Sequence, residues 1–202
     1  MRARTLLTAA ALALPQFAFA VAPPPAGEYA IDPVHSKVGF EVAHLVISSV
    51  EGKFRDFSGL IKIGGKLEDC SVEARIKTAS IDTGVEARDN HLRSADFFDA
   101  AKFPEMTFTS RKVSWDGSTL TIVGDFTLHG VTKSVTLVGK YFGAINDPQM
   151  GERAAFEVST KIDRRDFGLV WNKLIEVGPV VGNEVTISIK VEAVRKAPTP
   201  KA

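Results

Sequence analysis

Along most of the chain, apolar and polar residues alternate one for one, the pattern of strands with one dry face and one wet face. Val38, Phe40 and Val42 share one side of a first strand, with Gly39, Glu41 and Ala43 on the other. A second segment sets Glu51, Lys53 and Arg55 against Gly52 and Phe54, then continues through Gly59, Ile61 and Ile63 to a Gly64-Gly65 turn. Val72, Ala74 and Ile76 oppose Glu73, Arg75 and Lys77 in a third. The fourth spans Met106 to Trp115 and stops at Asp116-Gly117, a strong hairpin signal because both residues tolerate the left-handed backbone of a tight turn. Leu120, Ile122, Gly124, Phe126 and Leu128 make a fifth, and His129-Gly130 turns the chain into a sixth that carries Val135 and Leu137 onward to Gly143. After a loop at Asn146, Asp147 and Pro148 come a seventh, Ala154 to Ile162, and an eighth, with Val185, Ile187, Ile189 and Val191 against Thr186, Ser188, Lys190 and Glu192.

Two longer connections interrupt this meander, and connections of that length are where function concentrates. Val85 to Phe98 fits a short helix between the third and fourth strands, and Pro104 prevents its continuation. Arg164 to Asn183 is rich in aromatic and branched residues but is broken by Gly168, Gly178, Pro179 and Gly182. Eight strands in sequence predict an all-β fold, an up-and-down antiparallel barrel whose closure removes exposed edges. A barrel of that size either fills itself with side chains or holds one small ligand. Gly59, Gly124 and Gly139 lie on otherwise apolar faces; they either leave room for a cavity or relieve bends and bulges.

The ends of the chain read differently. Arg2 and Arg4, an apolar stretch from Leu6 to Leu14, and small residues at Ala18 and Ala20 form a secretory signal, with cleavage expected after Ala20. Residues 21–28 are then a proline-rich tail, 29–195 the barrel domain, and 196–202 a flexible C-terminal tail. The apolar stretch is too short to span a bilayer, and no cysteine stands at the cleavage boundary, so no stable membrane anchor is expected. Removing the signal leaves 23 basic against 24 acidic residues, a balance that offers nucleic acid no electrostatic footing. Cys70 is the sole cysteine, which rules out an intrachain disulfide and a cysteine-based zinc site.

Signs of catalysis are sparse. His35, His44, His91 and His129 fall in no close-spaced ligand pattern, and no nucleophile elbow, P-loop or dinucleotide fingerprint is present, so no cofactor, metal or catalytic residue is assigned. Asp89, His91 and Arg93 cluster on the expected helix, but residues two apart on a helix point in different directions. Their expected role is to pin the helix to the barrel rim or to meet a ligand head group. Thirteen Phe stand against two Trp and two Tyr, many of them at strand ends or in loops. Either they plug the barrel ends, or Phe40, Phe54, Phe57, Phe97, Phe98, Phe108, Phe126 and Phe167, together with Leu92, line an apolar tunnel.

Several of these segments resemble one family. Asp32-Pro33-Val34-His35-Ser36 leading to Phe40 and His44, Gly52-x-Phe54-x-x-Phe57-x-Gly59, and the run from Arg88 to Asp99 are similar to motifs of the YceI family of bacterial periplasmic proteins. So are Phe103-Pro104-x-Met106-x-Phe108, Leu128-His129-Gly130-Val131-Thr132 and Arg165-Asp166-Phe167-Gly168-Leu169. The resemblance covers about Tyr29 to Val194. It implies a lipocalin-like barrel that holds a polyisoprenoid or similar amphiphilic chain in an internal tunnel, often as a homodimer, with no established enzymatic activity. On that reading the protein is a periplasmic lipid carrier, and His91, Arg93 and Arg165 are expected to meet the lipid head group near the mouth. The rival readings are an envelope enzyme acting on a lipid and a structural or partner-binding protein with a solid core.

Overall fold

The alternation resolves into short and long strands around one brief helix in the computed structural model, which describes residues 22–45, 47–175 and 178–197. The expected signal segment, residues 1–20, lies outside the described residues, as do the last five positions of the chain. In chain order the strands are β1 (Gly27–Ile31), β2 (Lys37–His44), β3 (Ser48–Phe54), β4 (Phe57–Ile63), β5 (Ser71–Lys77), β6 (Ile81–Asp82) and β7 (Glu105–Trp115). They continue as β8 (Leu120–Leu128), β9 (Val131–Asp147), β10 (Gly151–Asp163), β11 (Leu174–Ile175), β12 (Gly178–Pro179) and β13 (Val181–Arg195). The helix, α1, is Glu86–Arg93.

β1 and β2 pair with successive stretches of β13, so together they make one wall strand broken at Asp32–Ser36. β3 pairs with β2 and β4 with β1, and β6 and β5 follow in turn, so two further wall strands are broken at the same level. With β7, β8, β9, β10 and β13 these make eight staves, each antiparallel to the next in sequence, and β1 closes the ring on β13. The expected up-and-down barrel is the observed one. β11 and β12 form a separate two-residue ladder outside it. Among the described residues no helix is long and apolar enough to cross a membrane.

Differences from the expected strands have local causes. β1 is a strand within and beyond a stretch read as tail, because its five residues are too few to display a period. β9 runs past Gly143 to Asp147 because Phe142 is an unpaired bulge residue, which reverses the alternation from that point on. A second bulge at Arg111 shifts β7 from the Met106–Phe108 phase to the Val113–Trp115 phase. The hairpin at Asp116-Gly117 is a four-residue connection in which the Asp116 carboxylate accepts the backbone N–H groups of Ser118 and Thr119.

Nor do the three glycines open volume. A Cβ on Gly124 would stand 2.5 Å from the Phe108 ring, and on Gly59 2.6 Å from Ile31, so each glycine seats a neighbouring side chain. At Gly139 the nearest atom is backbone: the Glu157 carbonyl oxygen would lie 1.8 Å from an added Cβ. Gly139→Ala is therefore expected to cost about 1–3 kcal/mol. Gly65→Ala, with no atom within 4 Å of the added carbon, should stay within about 0.5 kcal/mol of the parent; urea unfolding of the two variants checks the contrast.

The break between β1 and β2 is held by charge. Asp32 accepts from His35 (Nδ1···Oδ2 2.8 Å), from Arg153 Nη1 (2.9 Å) and from the Val34 N–H, while the same Arg153 nitrogen donates to Glu192 on β13. Asp32, His35 and Glu192 bring ligand-type atoms within 4.8 Å of one another, but the cation among them is the Arg153 guanidinium. These bonds, His35's first, hold the Asp32 carboxyl well below its ordinary 3.8. A carboxylate with a depressed folded pKa adds stability that is complete above its unfolded value and is lost as pH falls through the folded one. Asp32→Asn should lower the Tm at neutral pH, and the gap between the two proteins should close as pH drops below 3.8, as read by thermal circular dichroism.

Candidate ligand cavity

The inward residues of the eight staves form three apolar layers. Tyr29, Ile61, Tyr141, Ala154 and Ala193 lie nearest the chain termini, and Phe108, Leu120, Ile122, Leu137 and Val158 lie in the middle. Phe54, Phe57, Ile76, Met106, Leu128, Phe167 and Leu169 lie nearest α1. Between them runs a cavity of about 820 Å³, bounded by residues of all three layers. At roughly 30 Å³ per water, that is room for about 27 waters, and a lining almost without donors or acceptors gives water few partners there.

Its two ends differ. At the terminal end the lining includes Pro23, Pro25 and Ala26, with Gly65, Lys66 and Leu67 from the loop between β4 and β5, all exposed to solvent. Residues read as a tail thus border the opening. At the helix end the lining is half-buried Leu92, Phe98 and Val181 and buried Phe97, Arg164 and Leu169, which shut the barrel. The opening is therefore at the terminal end.

The plug at the helix end follows from how α1 is held. Asp89 Oδ1 accepts from the Thr83 N–H (2.9 Å) and from the Thr83 hydroxyl, and Arg88 donates to the Thr83 hydroxyl and carbonyl. Arg93 donates to the Ala79 and Ile81 carbonyls, both at 2.8 Å, tying the last helical turn back to the segment around β6. So fixed, the helix points Leu92 inward, and the following turn delivers Phe97 and Phe98. Phe98 meets Phe54 edge-on at 5.7 Å, and Phe54 meets Phe40 at 5.8 Å, which joins plug and wall in one aromatic contact chain.

Of the residues expected to line a tunnel, Phe40, Phe54, Phe57, Phe108 and Phe126 border the cavity from the wall, and Leu92, Phe97 and Phe98 from the plug. Phe167 does not. It is buried in the helix-end core against Phe126, short of the cavity, because the 3₁₀ turn Arg164–Phe167 folds it back over the barrel end. The three expected head-group residues also lie elsewhere. His91 bonds to Asp96 and packs against Phe97 and Trp171, Arg93 is spent on two backbone carbonyls and the Asn90 side chain, and Arg165 is paired with Asp163 on the surface. Hydrogen bonds from the Arg165 guanidinium and backbone N–H, and then its charge, pull the Asp163 carboxyl down to about 2.

Several polar residues that the sequence reading did not assign border the cavity, among them Lys62 and Lys66 at the mouth, Thr160 in the wall, and buried Arg164 and Tyr141. Arg164 is 4% exposed, and burial lowers its pKa below the ordinary guanidinium value. Tyr141 is 7% exposed, its hydroxyl has no hydrogen-bond partner among the described residues, and burial pushes its pKa up. Both were legible in principle, since Val135, Leu137 and Tyr141 keep one inward phase along β9, as do Val158, Thr160, Ile162 and Arg164 along β10.

Comparison with known proteins places this architecture. Residues 29–193 match the family model described as the YceI-like domain. The chain is 44% identical over 174 residues to Protein YceI of Escherichia coli O157:H7, covering 85% of this chain and 88% of that protein. Among solved structures, the Campylobacter jejuni YCEI protein superposes with a TM-score of 0.67 at 34% identity, covering 82% of this chain and 96% of that one. Burkholderia cenocepacia BcnA gives 0.70 at 25% identity, covering 81% and 99%. A polyisoprenoid binding domain from Saccharophagus degradans gives 0.63 at 17% identity, covering 85% and 100%, a likeness of fold alone.

Cys70, half-buried at the opening and the sole thiol, is a native reporter of the mouth: its Sγ accepts from the Gly64 N–H and lies 3.5 Å from the Lys66 carbonyl. Its reaction with a small disulfide reagent should slow several-fold once geranylgeraniol occupies the cavity. An unchanged rate would place the opening at the helix end.

Proposed function

Because the chain belongs to the YceI-like family, we propose that it is an exported, periplasmic carrier that sequesters a polyisoprenoid or similar amphiphilic chain, such as a quinone or prenyl lipid, inside the barrel. The observation that carries this reading is the apolar cavity of about 820 Å³ running between an exposed mouth and a closed plug. The shared fold of the Saccharophagus domain described as polyisoprenoid binding supports it. The signal-like residues 1–20 and the want of a lipid-anchoring cysteine beside them support export without a stable anchor.

The driving force is transfer of methylene and methyl groups from water to a dry lining. At about 0.8 kcal/mol per buried carbon, a chain of roughly twenty carbons gains about 16 kcal/mol. About half of that offsets the lost freedom of the chain, and the remaining ~8 kcal/mol corresponds to a micromolar Kd. On the same footing a chain of three prenyl units retains about 6 kcal/mol and binds more weakly, with a Kd of tens of micromolar. No step of this process calls on a nucleophile or a general base, and the protein acts by holding its cargo rather than changing it.

Organic extraction of the purified protein followed by mass spectrometry should recover a chain lipid near one equivalent. Protein obtained empty should take up geranylgeraniol more tightly than farnesol. Ala74→Trp, which puts an indole into the middle of the cavity, should abolish uptake while leaving the far-ultraviolet circular dichroism of the barrel unchanged. Repeated recovery of empty protein that also refuses added prenyl lipid would end the carrier reading.

A further inference from the structure

β10 turns Phe156, Val158, Thr160 and Ile162 toward the cavity at every second position, and the next position in that phase is Arg164. Its guanidinium closes the blind end. Nε donates to the Gly182 carbonyl at 2.8 Å and Nη1 to the Leu169 carbonyl at 2.5 Å, which fixes the plane of the group. Nη2 has no partner among the described residues, and no carboxylate there forms an ion pair with this arginine. The neighbouring Asp163 is engaged by Arg165 on the outer surface.

A buried cation without a counter-ion is costly, and the cost is relieved by an anion that arrives with its water already removed. The free edge of a guanidinium matches the two oxygens of a carboxylate or phosphate better than it matches a hydroxyl. We propose that Arg164 reads the head group of the bound lipid: an oxyanion enters first and rests at the helix end, and the tail runs back toward Trp115 and Tyr141 near the mouth. This assignment deepens the carrier reading and rests on it. It reverses the orientation expected from His91, Arg93 and Arg165, none of which borders the cavity. At the other end the mouth carries Lys62 and Lys66, both exposed, and they mark where an anionic head would sit if the lipid lay the other way round.

Two measurements test the assignment. In equilibrium titrations the parent protein should bind stearate about tenfold or more tighter than octadecanol, or farnesyl phosphate tighter than farnesol by a similar factor. The larger of the two preferences tells carboxylate from phosphate. Arg164→Gln should erase the preference, weakening the acids about tenfold more than the alcohols, and Arg164→Lys should retain part of it. If the alcohols bind as tightly as the acids, the carrier reading stands and the Arg164 assignment falls; if none of the four binds, both fall.

The second measurement leaves Arg164 intact. The chain has two tryptophans, Trp115 beside the mouth and Trp171 beside the plug. In a Trp171→Phe background, 16-doxyl-stearate should quench Trp115 more strongly than 5-doxyl-stearate does. The reverse order puts the head at the mouth, beside Lys62 and Lys66, and overturns the proposal.

Discussion

The ladder between β1 and β13 has three residue pairs, Tyr29 with Arg195, Ala30 with Val194 and Ile31 with Ala193, yet it turns an open sheet into a barrel. Tyr29 and Ala193 are fully buried at this seam. The Tyr29 hydroxyl donates to Glu152 and lies 2.9 Å from the Pro25 carbonyl oxygen, and Arg195 holds the other Glu152 oxygen at 2.7 Å. Burial, then Glu152, raises the tyrosine pKa, so it stays a donor across the working range of the protein. Everything else about the cavity depends on closure, because an interior exists only when no strand is left as an edge.

Closure also explains why the interior is hollow. Eight staves set a girth that aromatic and branched side chains must span, and several of the largest are drawn to the walls or the plug. Phe108 lies over Gly124, Phe40 lies over Gly52, and Phe97 and Phe98 sit at the helix end. The glycines therefore serve the cavity indirectly, by letting rings lie flat against the wall.

Period-two alternation made the eight staves and their order legible, since each strand has one face in water and one inside. It carried less where the period breaks. Phe142 and Arg111 are bulge residues that reverse the phase, and β1 is too short to show one. The apolar lining was legible for the same reason as the strands, with Phe167 misplaced because a 3₁₀ turn follows no strand period. The polar residues were harder. Arg164 and Arg165 are adjacent and identical in chemistry, and only continuing the β10 phase one step past Ile162 separates the buried one from its surface neighbour. His91 and Arg93 looked like ligand contacts because they cluster on the helix, but their hydrogen bonds go to Asp96, to Asn90 and to backbone carbonyls.

The three wall strands that break do so side by side, at Asp32–Ser36, at Arg55–Asp56 and at Thr78–Ser80, and backbone hydrogen bonds from Arg55 to Ser80 and from Lys77 to Asp56 stitch the last two breaks together. The other five staves, from β7 to β10 and β13, run unbroken for between nine and seventeen residues. Mechanically the barrel is a stiff half-shell joined to a jointed one, with a crease running across the jointed side. Along that crease the fewest ladder bonds oppose bending, so the compliance of the wall belongs to its first third.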